Sequence, residues 1–271
     1  MSEVLVSTNV PEAVSSVQVK MEAVQAFIQH HVKNSHSMMP FPGVSFSLPD
    51  FISLHGVMLV FSAFLVLVSF GLLYRRGSVV PRGFTNLLES FVAFIRNDVA
   101  IAYLGPDDGR KMAPLFCSFF FFILTMNLVG LVPCFAGATG NFNVTFALAG
   151  ITLFFMIFGA IYKSGIVGFF KGFIPHGIPV WVLFVLLPIE ILGLFIKAFA
   201  LGIRLFANMF AGHIVIFNLV GLVIIFGYLA SASLVMALGI YLLEVFIAFL
   251  QAYIFTLLSA IFIGQRYHPE H

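Results

Sequence analysis

The sequence predicts an all-α polytopic membrane protein, and three observations carry that prediction. Of 271 residues, 61% are hydrophobic and only 9% charged, against about 45–50% and about 25% in an ordinary soluble domain. Mean hydropathy is +1.09, too high for intrinsic disorder or for a water-coated globule of this length. The apolar residues also gather in five blocks of membrane-spanning length. The net charge of +2 excludes a nucleic-acid signature. Cys117 and Cys134 form no CxxC pair and carry no redox or metal reading.

Residues 1–50 form a polar N-terminal segment and residues 51–271 the transmembrane domain. Glu3 and the lack of a long apolar stretch argue against a signal peptide. Val17, Met21, Val24 and Ile28 recur at helical spacing, which predicts a short amphipathic helix before a loop, MMPFPGVSFSLPD.

The five blocks run Ile52–Tyr74, Ala113–Val132, Val144–Tyr162, Trp181–Phe226 and Leu234–Ile263. Between the first two, Phe84, Leu87, Leu88, Phe91, Phe94 and Ile95 make one apolar stripe, with Arg82, Glu89, Arg96 and Asp98 elsewhere. That pattern predicts an interfacial amphipathic helix. Six basic residues (Arg75, Arg76, Arg82, Arg96, Arg110 and Lys111) put this connection in the cytoplasm. Five crossings, with the N-terminus outside and the C-terminus inside, then satisfy the remaining loops. The fourth block is too long for one upright span, yet no proline breaks it between Pro188 and Pro269. We therefore expect one strongly tilted helix, followed by a second long helix in a hairpin.

Function has to reside in the charges left inside these blocks. Each costs at least about 2.5–3.5 kcal/mol near a helix centre, so it needs a partner, a cavity or a task. Glu190, Lys197 and Arg204 are seven residues apart, with Asn208 and Gly212 continuing the same face. Glu244 and Gln251, also seven apart, form a second polar lane on the last helix. With the hairpin turn centred near Ala230, Glu244 falls at the depth of His213, and Gln251 at that of Asn208. Imidazole beside carboxylate suits a proton relay. Blander readings exist for several of them. Lys197 snorkels or pairs with Glu190, Asn208 and Gln251 act as interhelical glue, or Arg204 pairs with Glu244.

The stretch LGIRLFANMFAGH (201–213) resembles the signature of subunit a of F-type ATP synthases. PRGFTNLLESFVAFIRNDVA, APLFCSFFFFILTMNLVGLVP, NFNVTF, PIEILGLFIKAFA and LEVFIAFLQAYIFTLL extend the resemblance over nearly everything beyond Pro40. It implies a non-enzymatic, proton-translocating stator subunit without catalytic group, cofactor or metal. Its partners would be the c-subunit ring, the b-subunit peripheral stalk, the rest of the synthase and the bilayer.

By the same resemblance, Arg204 faces the ring carboxylates, drives proton release from them and separates two offset half-channels. His213 and Glu244 match positions where some bacterial members carry the acid first and the histidine second; the order here is that of mitochondrial members. They are expected in the outer half-channel, with Asn127 and Gln251 as weaker candidates; Asn208 belongs to the Arg204 motif among the proton-translocation residues, and Glu190 to the inner path. The long N-terminal segment and the PRGF connection resemble bacterial members, which implies a bacterial inner membrane. The choice between H⁺ and Na⁺ stays open. The rival class is a stand-alone secondary transporter or channel, for which no inverted repeat is visible.

Overall fold

The computed structural model describes residues 18–19, 21–22, 37–41, 44–47, 54–73, 83–132, 137–173, 180–226 and 231–267. The expected N-terminal amphipathic helix lies mostly outside these, although residues 18–19 and 21–22 are helical. Arg75, Arg76 and Arg82 also lie outside them.

Two short strands, β1 (Ser37–Phe41) and β2 (Val44–Ser47), replace part of the expected loop. They pair antiparallel, Met38 opposite Phe46. Val and Phe favour strand, and Pro42–Gly43 between them is turn-forming sequence. The other ordered elements are helical, and five of the helices are long and apolar enough to cross a membrane.

Helix α1 (Leu54–Val68) ends in a π-helical turn, Ser69–Leu73. Helix α2 (Phe84–Phe94) runs through a second π segment (Ile95–Ile101) into α3 (Ala102–Leu131). The chain turns back inside this run. Gly105 has φ +80, a conformation that favours glycine, and Pro106 suits the first position of a renewed helix. Beyond the turn, a Cβ on Gly109 would lie 2.6 Å from the Ala100 carbonyl oxygen, and Phe91 stacks on Phe120 at 5.5 Å. Helix α3 thus begins earlier than Ala113, where the apolar run starts, because hydrophobicity marks membrane residence and not helix limits. The buried side of α2 is also narrower than its apolar stripe. Leu88 and Ile95 are buried, whereas Phe84, Leu87 and Phe94 are exposed.

Helix α4 (Phe142–Phe154) is capped by Asn141, whose side chain accepts from the Asn143 N–H, as helix starts favour. A π turn (Phe155–Gly159) leads into α5 (Ala160–Lys171). The fourth block is a single helix, α6 (Val180–Phe226), of 47 residues, hence about 70 Å against a hydrocarbon core of about 30 Å. Helix α7 (Ser231–Tyr267) returns beside it.

Helix α3 is the hub, and phenylalanines fill its contacts. Phe119 meets Phe255 of α7 edge-on at 5.5 Å, and Phe70 meets Phe121 at 4.9 Å. Small residues allow close approach elsewhere: a Cβ on Gly202 of α6 would lie 3.2 Å from that of Ala149 on α4. Thr152 and Ser259 hydrogen-bond at 3.0 Å between α4 and α7, a contact type worth about 0.6 kcal/mol in a membrane. At one end of the bundle, Lys163 pairs with Asp108 and lies over the Tyr267 ring. The α6–α7 hairpin is the least covered part, with only 17% of each helix's most apolar window buried. It carries most of the polar residues singled out above.

Candidate functional site

Four contacts define the hairpin register. Glu244 of α7 lies against Gly212 of α6, and Asn208 and Ala248 line the same small cavity. Ser233 donates to the Leu219 carbonyl at 3.3 Å near the turn. At the far end Arg266 pairs with Glu190 at 3.0 Å. Glu190 precedes Gly212 by as many residues as Arg266 follows Glu244, so one antiparallel register runs from the Gly212–Glu244 contact to that end, whereas the Ser233–Leu219 contact near the turn is offset from it by four residues. By that register Arg204 stands opposite Ala252, with Gln251 beside it.

Glu244 is buried, and neither of its carboxyl oxygens has a hydrogen-bond partner among the described residues. With Asn127, Leu205, Asn208, Met209 and Ala248 it lines a cavity of about 10 Å³, about enough for one water. Asn127, buried in α3, donates to the Ala248 carbonyl at 3.4 Å and accepts from Thr139 at 2.9 Å. Its amide is therefore held in place at the cavity wall. His213, one residue from Gly212, turns elsewhere. Its ring lies against Gly137 and 5.9 Å from the Phe217 ring. The two expected relay groups thus share a depth without a direct hydrogen bond between them. A one-residue step on α6 turns the side chain by about 100°, which separates the glycine facing Glu244 from the imidazole.

Arg204 is exposed on the apolar hairpin surface, between Ile203 and the small Ala207. It forms no ion pair with any described residue. An Arg204–Glu244 pair is therefore not formed, since the register sets these residues two turns apart along the hairpin. Glu190 is paired, though not with Lys197. Lys197 instead donates to Gln265 at 3.1 Å and lies 5.4 Å from the Phe262 ring centre.

Sequence reasoning missed Thr139, Gly137 and Arg266. Thr139 lies in a short 3₁₀ turn (Ala138–Gly140) that Gly137 precedes, a connection with no charge pattern to mark it. Arg266 stands in the sequence as an isolated basic residue near the C-terminus, although its spacing from Glu244 mirrors that of Glu190 from Gly212. The helix passes through Gly212 unbroken and uses its missing side chain for close approach.

A family model described as ATP synthase A chain matches residues 56–264. The chain belongs to that family. Among its relatives, ATP synthase subunit a of Chloroherpeton thalassium is 46% identical over 259 residues, 89% of this chain and 77% of the relative. That of Myxococcus xanthus is 42% identical over 230 residues, 81% and 76% of the two chains. The relative from Anaeromyxobacter sp. is 47% identical over 218 residues, 78% of this chain and 53% of its own length. The chain spans about half the length of the Anaeromyxobacter relatives it matches. In this ATP synthase A chain member, Asn127, Glu190, Arg204, Asn208, His213, Glu244 and Gln251 all fall within the matched residues, whereas Arg266 lies just beyond them.

Proposed function

We propose that the chain is the proton-translocating stator subunit of an F-type ATP synthase membrane sector, a non-catalytic part of that complex. The observation that carries this reading is Arg204. A guanidinium cannot lose its proton in a protein, and a cation at a helix centre costs at least about 2.5–3.5 kcal/mol. Glu190 and Lys197 have partners within the chain, whereas Arg204 is exposed with no ion-pair partner among the described residues. A second chain carrying carboxylates on a face that follows the long tilted hairpin answers that need, and the c-subunit ring has this character.

The arrangement supports two paths offset along the hairpin. Glu244, Asn127 and Asn208 meet at one polar cavity on the outer side of Arg204, with His213 at the same depth and Gln251 beside the arginine by register. Glu190 lies on the other side, 14 residues from Arg204, about 21 Å of helix. A proton entering from outside passes the Glu244 cavity to a ring carboxylate. After rotation, the approach of Arg204 favours the ionised carboxylate, and the proton leaves past Glu190. Arg204 between the paths blocks a direct leak. The chain would lie in a bacterial inner membrane, N-terminus outside and C-terminus cytoplasmic. It would contact the c ring, the b-subunit peripheral stalk and lipid.

Arg204→Ala tests the reading in the assembled complex in vesicles. ATP synthesis driven by an imposed proton gradient should fall to background while the subunits remain associated. Near-normal synthesis in the assembled variant overturns it.

A further inference from the structure

The Glu190 end of the hairpin carries a device that the two-path reading does not use. Arg266 Nη2 donates to Glu190 Oε2 at 3.0 Å, and this bond engages one oxygen only. Among the described residues, the other oxygen, Oε1, accepts nothing. The two partners differ in accessibility: the Arg266 side chain is 11% exposed and that of Glu190 44%. The arginine is therefore the anchored half of the pair and the carboxylate the accessible half.

Several contacts anchor Arg266. Its guanidinium lies 4.2 Å from the centre of the Phe173 ring, a cation–π geometry. Its sequence neighbours are held as well. Gln265 accepts from Lys197, and Tyr267 packs against Gly159 beneath Lys163. The Nε–H of Arg266 is buried without a partner among the described residues, so the orientation toward Glu190 is kept despite an unsatisfied donor. With Lys197 occupied by Gln265, Arg266 is the cation that meets the Glu190 carboxylate.

We propose that Arg266 is a positioning residue of the inner proton path: its clamp on Glu190 Oε2 holds Oε1 as the atom that takes up and releases the proton. This rests on the inner-path reading of Glu190 above. An O–H bond forms at Oε1 as a proton arrives and breaks as it passes to water on the cytoplasmic side. Arg266 exchanges no proton, because its charge is permanent. It acts by removing rotational freedom from a flexible acid that would otherwise sample many orientations.

The experiment is proton-gradient-driven ATP synthesis by the whole complex in vesicles, with subunit association checked for each variant. Arg266→Gln should lower the rate about tenfold, the scale of losing a charge-assisted hydrogen bond. Arg266→Lys, which keeps a cationic donor but loses the planar guanidinium stacked on Phe173, should run faster than Arg266→Gln and slower than the parent. Glu190→Gln should be at least as impaired as Arg266→Gln, and the double variant should match Glu190→Gln alone. Impaired Glu190→Gln with normal Arg266→Gln overturns the positioning role and leaves the inner path standing. Normal Glu190→Gln overturns the inner path and the positioning role with it. Should Arg266→Gln not assemble, the double variant, which removes both charges together, decides. A rate well below that of Glu190→Gln means that Arg266 acts elsewhere and overturns the proposal; an equal rate supports it.

Discussion

The Glu244 carboxylate lies over the bare backbone of Gly212, where any Cβ would overlap its Oε1. Neither carboxyl oxygen has a protein hydrogen-bond partner among the described residues. The absent side chain on α6 thus makes the space in which an acid from α7 faces a water-sized cavity. Gly212→Ala should push Glu244 out of that position, at an overpacking cost of about 1–3 kcal/mol. Passive proton conduction by the assembled membrane sector should fall about tenfold. Glu244→Asp, one methylene shorter, should recover part of the loss in the Gly212→Ala background. An alanine variant with unchanged conduction would show that this contact does not matter to transport.

Arg204 separates charge from geometry. Arg204→Lys keeps a cation, yet an ammonium is a compact point charge that can lose its proton when buried. We expect the lysine variant to assemble and to lose gradient-driven ATP synthesis almost as fully as the alanine variant. Retention of half the parental rate would mean that charge alone suffices.

His213 and Glu244 occupy one depth without a direct hydrogen bond, so a proton passing between them needs an intervening group such as a cavity water. The single variants His213→Ala and Glu244→Ala should each slow conduction strongly, with non-additive effects, since members of one network couple by about 0.5–3 kcal/mol. The exchange His213→Glu with Glu244→His should regain measurable flux. Conduction in vesicles, compared across both singles, the double alanine variant and the exchange, reads this out. Additive losses without recovery would assign the two residues to independent roles.

Five crossings would place the ends of the chain on opposite sides of the membrane. Single cysteines near Ser7 and near His268, in a background lacking Cys117 and Cys134, should react with an impermeant reagent from opposite faces. Reaction from one face would require an even number of crossings.

Much of the architecture can be read from composition alone, because the bilayer imposes length and apolarity on every span. Helix α6 runs unbroken through Pro188 near its start, and no further proline interrupts it; its tilt follows from its length against the bilayer. The Gly105 reversal is not legible in the same way. A Gly–Pro pair among charged residues reads as a loop, whereas in the structure one positive-φ glycine joins two helices. Nor does the apolar stripe of α2 distinguish residues facing α3 from those exposed at the surface.

For the site, the sequence by itself determines the unusual chemistry: Arg204, Glu190 and Glu244 are charged in apolar helices, and each must be compensated there. Their spacing also determines which of them share a helix face. Which partner each one meets is decided by tertiary structure. Glu190 meets Arg266 and not Lys197, Glu244 meets a glycine and not His213, and Asn127 is held by Thr139 and the Ala248 carbonyl. The physical reason is the interhelical register. Helical periodicity sets directions within one helix, but a shift of a single residue between helices turns the facing side chain by about 100°. Only the packed hairpin, with its small residues and its close glycine contact, sets that shift.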